Sequence, residues 1–148
     1  MNPPESLVPK RETCELLLKA GFPQDTYFCW RKNTGDTRWI LDNCYAFIKA
    51  GYSEGIAAPT FEEIPLLRAI PTEYGAALLT ITTGGVGIGV LADGYSVDYI
   101  LHTQEHGNTG NTLHRTGGEN LAEKAAQMLL WLISNGYFTF EQREIAEA

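Results

Sequence analysis

A chain of 148 residues that is 44% hydrophobic, 11% aromatic and 20% charged has a globular composition, which excludes a disordered or fibrous protein. At this length about 70% of the unfolded surface is buried on folding, so a single α+β domain over 1–148 with one core is expected. The formal charge of −7, with a pI near 4.9, gives a field that repels phosphate backbones, so no nucleic acid is expected as a partner.

The chain opens on Met1-Asn2-Pro3-Pro4-Glu5-Ser6, with neither a basic n-region nor an apolar h-region. No apolar run is long enough to cross a bilayer, so a cytoplasmic location without membrane contact is expected. From Lys10 to Ala20, Cys14, Leu17 and Leu18 form one apolar stripe and Gly21 follows as a stop, which predicts a short amphipathic helix. Asp25 to Asn33 and Thr37 to Asp42 alternate and are rich in aromatic and β-branched residues. The turn chemistry of Asn33-Thr34-Gly35-Asp36 joins them into a predicted β-hairpin. Cys14, Cys29 and Cys44 are odd in number and lack the close pairing of zinc ribbons or redox motifs, so buried reduced thiols are expected.

Asn43 to Ala58 fits neither period and is expected to be a loop over the core, with at most one short strand or helical turn. The next signal is the clearest in the chain. Pro59 holds Ala58 extended, Thr60 can cap the following turn, and Glu63 three residues on can complete a capping box, so a helix should start at Thr60. Ala76 to Thr83, Val86 to Ala92 and Tyr95 to Thr103 then read as strands joined by Gly84-Gly85 and Asp93-Gly94, a predicted three-stranded meander. Gln104 to Gly118 is polar and is expected to be a loop. Glu119 to Asn135 is the longest predicted helix, apolar at Leu121, Ala122, Ala125, Met128, Leu129, Leu132 and Ile133 and stopped by Gly136. Thr116 with Glu119 offers it a capping box, and Thr139 with Gln142 suggests one further turn.

These elements predict an α+β fold: an antiparallel sheet of about five strands, hairpin plus meander, with a long C-terminal helix and two shorter helices packed mainly on one face. The hairpin and meander can share one sheet or form two. An uncovered edge would favour a homodimer through strand addition or helix packing.

Lys19-Ala20-Gly21-Phe22, Tyr27-Phe28-Cys29-Trp30, Ala58-Pro59-Thr60-Phe61-Glu62-Glu63 and the closing alanine-rich helix follow in this order. The arrangement resembles small proteins of bacterial phages, prophages and other mobile elements, notably in Bacteroidetes genomes, to which no activity is assigned. The resemblance covers most of the chain through short structural motifs. It implies a genomic context and supplies no catalytic position. The chain departs from it at Pro65, where such proteins have an apolar helix former; this should kink the helix or delay its start.

Three segments are candidates for chemistry. His102-Thr103-Gln104-Glu105-His106 matches the H-x-x-E-H string of one metallopeptidase class, which needs it on a helix so that both histidines converge on zinc. Here it follows an alternating strand, where the two histidines would stand about 13 Å apart, against zinc–nitrogen bonds of about 2 Å. The glycines of Gly84 to Gly89 resemble a phosphate cradle, but a strand follows where that motif needs a helix. The long segment Gln104 to Gly118 carries the remaining binding candidates, so His102, Glu105, His106, His114 and Arg115 are the expected site. No metal ligand set, cofactor or catalytic residue is assigned. Tyr27, Phe28, Trp30 and Trp39, with Arg31, Lys32 and Arg38 nearby, could stack nucleic-acid bases, but core on one face and amphipathic cover on the other fits the acidic chain better. The expected function is a non-enzymatic accessory or protein-interaction domain. The alternative is a small metal-dependent or hydrolase-like enzyme using the His-rich segment 102–115.

Overall fold

The computed structural model describes residues 4–32, 37–44, 54–83, 95–103, 109–118 and 120–140. Among them seven strands form two antiparallel sheets, where about five strands, in one sheet or two, were the expectation. The first, in the order β2-β1-β3, is built from β1 (Phe28–Lys32), β2 (Ile40–Asn43) and β3 (Glu54–Ala58). The second runs β4-β5-β6-β7 through Ala69–Thr72, Gly75–Thr83, Tyr95–Thr103 and Thr109–Gly118. Helix α1 spans Arg11–Lys19 and helix α2 spans Leu121–Ser134, and the α+β class follows. No helix among the described residues is long and apolar enough to cross a membrane.

The predicted hairpin forms. Trp30 stands opposite Leu41 on one side and Ile56 on the other, and all three are buried. Val8, Ala58 and Cys14 of α1 pack with them, so α1 covers this face of the first sheet. The partner β3 occupies the end of the stretch expected to be mainly loop. Its Gly-Ile-Ala-Ala sequence lacks alternation because Ile56, Ala57 and Ala58 are buried in succession.

The helix expected at Thr60 is only a 3-10 turn, Phe61–Glu63. Its entrance is as read: the Glu63 carboxylate accepts from the Thr60 backbone N–H at 2.9 Å and from the Thr60 hydroxyl at 3.1 Å. Pro65 sets its length. The residue before a proline is pushed out of the helical region, and Ile64 lies at φ −87°, ψ 115°. β4 begins at Ala69, a strand hidden by the expectation of a continuing helix.

In the second sheet β5 pairs directly with β6 from Ala77↔Leu101 to Thr83↔Tyr95, so the consecutive three-stranded order of the expected meander is not what pairs these two strands. The run Val86–Ala92 and the glycines of Gly84 to Gly89 lie outside the described residues, as does most of the turn expected from Thr139. The polar segment expected to be a loop is, from Thr109 onward, strand β7, paired along β6 with a register shift between Tyr99 and Ile100. Scattered β-branched threonines suffice for an edge strand whose ladder is supplied by an apolar neighbour.

Helix α2 is capped by Asn120, whose side chain accepts from the Glu123 N–H at 3.0 Å, in place of the expected Thr116–Glu119 box. Thr116 belongs to β7, and its hydroxyl donates to the Lys124 carbonyl at 3.0 Å, tying the helix to the strand beneath. Ala125, Ala126, Met128, Leu129 and Leu132 pack against Ile70, Ala77, Val97, Tyr99 and Leu101 of the sheet. Both helices end as predicted at a glycine with positive φ, Gly21 at 97° and Gly136 at 78°.

Candidate functional site

Of the expected His-rich site, the strands place the backbones of His102, His114 and Arg115. His102 stands opposite Gly110 near the end of β6, whereas His114 stands opposite Tyr99, three positions back along the same strand. Their backbones are thus about 10 Å apart along the sheet. Arg115 stands opposite Asp98, whose buried carboxylate accepts from the Ser96 hydroxyl at 3.0 Å. Glu105 and His106 lie outside the described residues. Among the described residues no group of three or more His, Cys, Asp or Glu side chains could hold a metal ion.

The aromatic hairpin is not an open stacking platform at its tryptophans. Trp30 is buried and donates from Nε1 to the Pro9 carbonyl at 3.1 Å. Trp39 is flanked by the Arg11 guanidinium and the Lys32 ammonium, 5.3 Å and 5.2 Å from its ring centroid. Tyr27 remains exposed, edge-on to Phe28.

Three other features have the geometry of a site. The first is a cavity of about 520 Å³ where the 3-10 turn Glu5–Leu7, the turn Phe61–Glu63 and the start of α2 meet. Leu7, Phe61 and Leu121 line it, with Thr60 and Glu62. The Thr60 hydroxyl is committed to Glu63, so this lining supplies an apolar recess, the Ser6 hydroxyl and one carboxylate.

The second is the part of the outer face of the second sheet nearest β4, away from α2; farther along β6, Ser96 and Asp98 on this face are buried. Side chains alternate along β5, so while Ala77 faces the helix, Leu78 faces outward. Leu78 stands between Ala69 of β4 and Ile100 of β6, making an apolar row across three strands, and 49% of it is exposed. Tyr74, in the β4–β5 turn, is 76% exposed.

The third is a pair of thiols. Cys29 stands opposite Asp42, and the Cys44 N–H extends the ladder by donating to the Tyr27 carbonyl at 2.9 Å. Cys29 and Cys44 are therefore diagonal neighbours on one face. The same diagonal, two residues along, is closed by Arg31 Nε donating to Asp42 Oδ2 at 2.9 Å. Both thiols line a cavity of about 220 Å³ with Leu18, Gln24, Gly55 and Ala57. Interaction with the neighbouring Cys29 thiol is the main reason that the Cys44 thiol falls from an ordinary 9.0 to about 7, against burial and the nearby Glu63 charge. The same interaction, reinforced by burial, pushes Cys29 strongly upward. Cys14, by contrast, is raised to about 12, chiefly by burial and then by the charge of Glu123.

Expecting three separate buried thiols missed this pair, because fifteen residues separate Cys29 from Cys44. The hairpin was legible but its register was not: a turn centred on Asn33–Asp36 would set Cys29 opposite Ile40, whereas Cys29 stands opposite Asp42. Compared with protein-family models, curated proteins and solved structures, the chain finds no match.

Proposed function

We propose that the chain is a non-enzymatic accessory domain that holds a protein partner, in the context of a phage or other mobile element, and that the partner seats on the outer face of the second sheet. The observation that carries this reading is the row Ala69, Leu78, Ile100 across three strands, with Leu78 half-exposed in mid-strand. Apolar rows left open to water on a sheet are where partners recover burial energy, and an exposed tyrosine such as Tyr74 is a common anchor beside them. A charge of −7 on each copy disfavours self-association and suits a partner with a basic rim. The resemblance of Lys19–Phe22, Tyr27–Trp30 and Ala58–Glu63 to mobile-element proteins supports the context. The free thiols Cys14, Cys29 and Cys44 fit a reducing cytoplasm.

The test is affinity capture at physiological salt with the wild type and Leu78→Glu, followed by reconstitution with the purified partner. Leu78→Glu should keep the urea midpoint, because the side chain is already half in water, and should weaken the reconstituted complex at least about tenfold, the effect of about 1.4 kcal/mol. A chain with no Leu78-dependent partner overturns the reading. A dimer that Leu78→Glu dissociates reassigns the face to a second copy.

A further inference from the structure

The first sheet carries a feature unrelated to the docking face. Cys29 and Cys44 are neighbours across one diagonal of the hairpin, at the wall of a cavity of about 220 Å³. That volume is several times the roughly 30 Å³ a water molecule occupies, so it admits a molecule of a few heavy atoms. Its polar groups are largely committed. Gln24 donates to the Phe22 carbonyl at 2.8 Å and accepts from the Ala57 N–H at 2.9 Å, leaving the two sulfurs as the reactive groups. Cys29 is 2% exposed, whereas Cys44 is only partly buried, so a molecule arriving from solvent meets Cys44 first.

We infer that Cys29 and Cys44 form a two-thiol redox site that reduces a small hydroperoxide admitted to this cavity and closes as a Cys29–Cys44 disulfide. Cys44 is the attacking thiol, because its proton is the easier of the two to remove. Thr26 assists. Its hydroxyl donates to the Phe28 carbonyl at 2.7 Å and lies 3.8 Å from the Cys44 sulfur, so it accepts from the neutral thiol and can turn its proton toward the thiolate.

The Cys44 thiolate attacks the terminal oxygen of the hydroperoxide, forming an S–O bond as the O–O bond breaks. The departing alkoxide or hydroxide takes a proton from water and leaves as alcohol or water, and Cys44 is left as a sulfenic acid. The Cys29 sulfur then attacks the Cys44 sulfur. The S–S bond forms as the S–O bond breaks, and the hydroxyl leaves as water with the Cys29 proton. Two electrons pass from the two thiols to the peroxide. Diagonal neighbours sit about 7–8 Å apart at Cα, slightly beyond ordinary disulfide reach, so Cys44, one residue past the end of β2, must draw inward. A bridge that pulls on its backbone is readily reduced again by a small thiol.

The test exposes reduced wild-type protein to stoichiometric hydrogen peroxide, quenches it and weighs the intact chain. The expected product is lighter by two hydrogen masses, retains one of the three thiols, yields a Cys29–Cys44 cross-linked peptide and is restored by glutathione. Cys14→Ser should leave the cross-link intact. Cys29→Ser should stop at a Cys44 sulfenic acid trapped by dimedone, and Cys44→Ser should keep both remaining thiols. Iodoacetamide alkylation of Cys44 should rise to a plateau with a midpoint near pH 7 and fall about tenfold per unit below it. Wild-type protein that retains all three thiols, cross-links only between molecules, or alkylates Cys44 with the ordinary midpoint near 9 overturns the inference.

Discussion

Glu123 is 3% exposed, yet its carboxylate is fully occupied. One oxygen accepts from the Lys10 backbone N–H at 2.8 Å. The other accepts from the Thr13 hydroxyl at 2.8 Å and the Gln127 amide at 2.7 Å. A carboxylate from α2 thus supplies the N-terminal cap that α1 lacks from its own Lys10 side chain. Replacing Glu123 by alanine strands three donors in a dry site, which should destabilise the protein by roughly 2–4 kcal/mol. Urea unfolding would read this as a lower midpoint at unchanged slope, with Glu123→Gln, which retains one acceptor oxygen, falling between. An alanine variant as stable as wild type would mean that these bonds contribute nothing net. From the sequence, Glu123 reads as an ordinary acidic residue in a helix's first turn. Its partner Thr13 is 110 positions away, and no local pattern announces such a bond. The capping glutamate of the second 3-10 turn hides a similar role: Glu63 also accepts from the Tyr27 N–H at 3.0 Å, fastening the turn to the hairpin.

Elements whose boundaries depend on local chemistry were legible in the sequence. Helix α1, the hairpin β1–β2 and helix α2 follow from periodicity and stop residues, and each helix ends beside its predicted glycine. At Gly136, φ is 78° and a Cβ would meet nothing within 4 Å, so Gly136→Ala isolates the backbone term. It should cost about 1–2 kcal/mol with an unchanged helical circular-dichroism signal. A neutral substitution would show that the chain after α2 frays without loss. Elements decided by a neighbour were not legible. Strand β7 has a polar sequence and owes its conformation to β6, while β3 is masked by three consecutive buried residues. At Thr60 the start was legible and the length was not, since Pro65 acts through its predecessor Ile64. The same division governs the sites: the histidine string is conspicuous in sequence, whereas the thiol pair is inconspicuous and assembled by register.

At the scale of the whole molecule, two apolar cores meet at α1. Cys14 packs with Trp30, Leu41 and Ile56 under the first sheet, while Leu17, one turn later, packs with α2 and the second sheet. Glu123 and Asn120 strengthen the junction, Asn120 by donating to the Val8 carbonyl at 2.7 Å. A helix that belongs to both cores cannot leave one without opening the other, so the two sheets should unfold together. The three tryptophans make this measurable. With Trp131 of α2 replaced by phenylalanine, the remaining Trp30 and Trp39 both report on the first core. In that background Leu129→Ala, a truncation at a fully buried position of the other core, should cost about 2–5 kcal/mol. Cooperative coupling through α1 requires the tryptophan fluorescence transition to shift by as much as the far-ultraviolet circular-dichroism transition. If fluorescence keeps the parental midpoint while circular dichroism moves, the first sheet stands without the second, and the Glu123 junction is a contact between independent units.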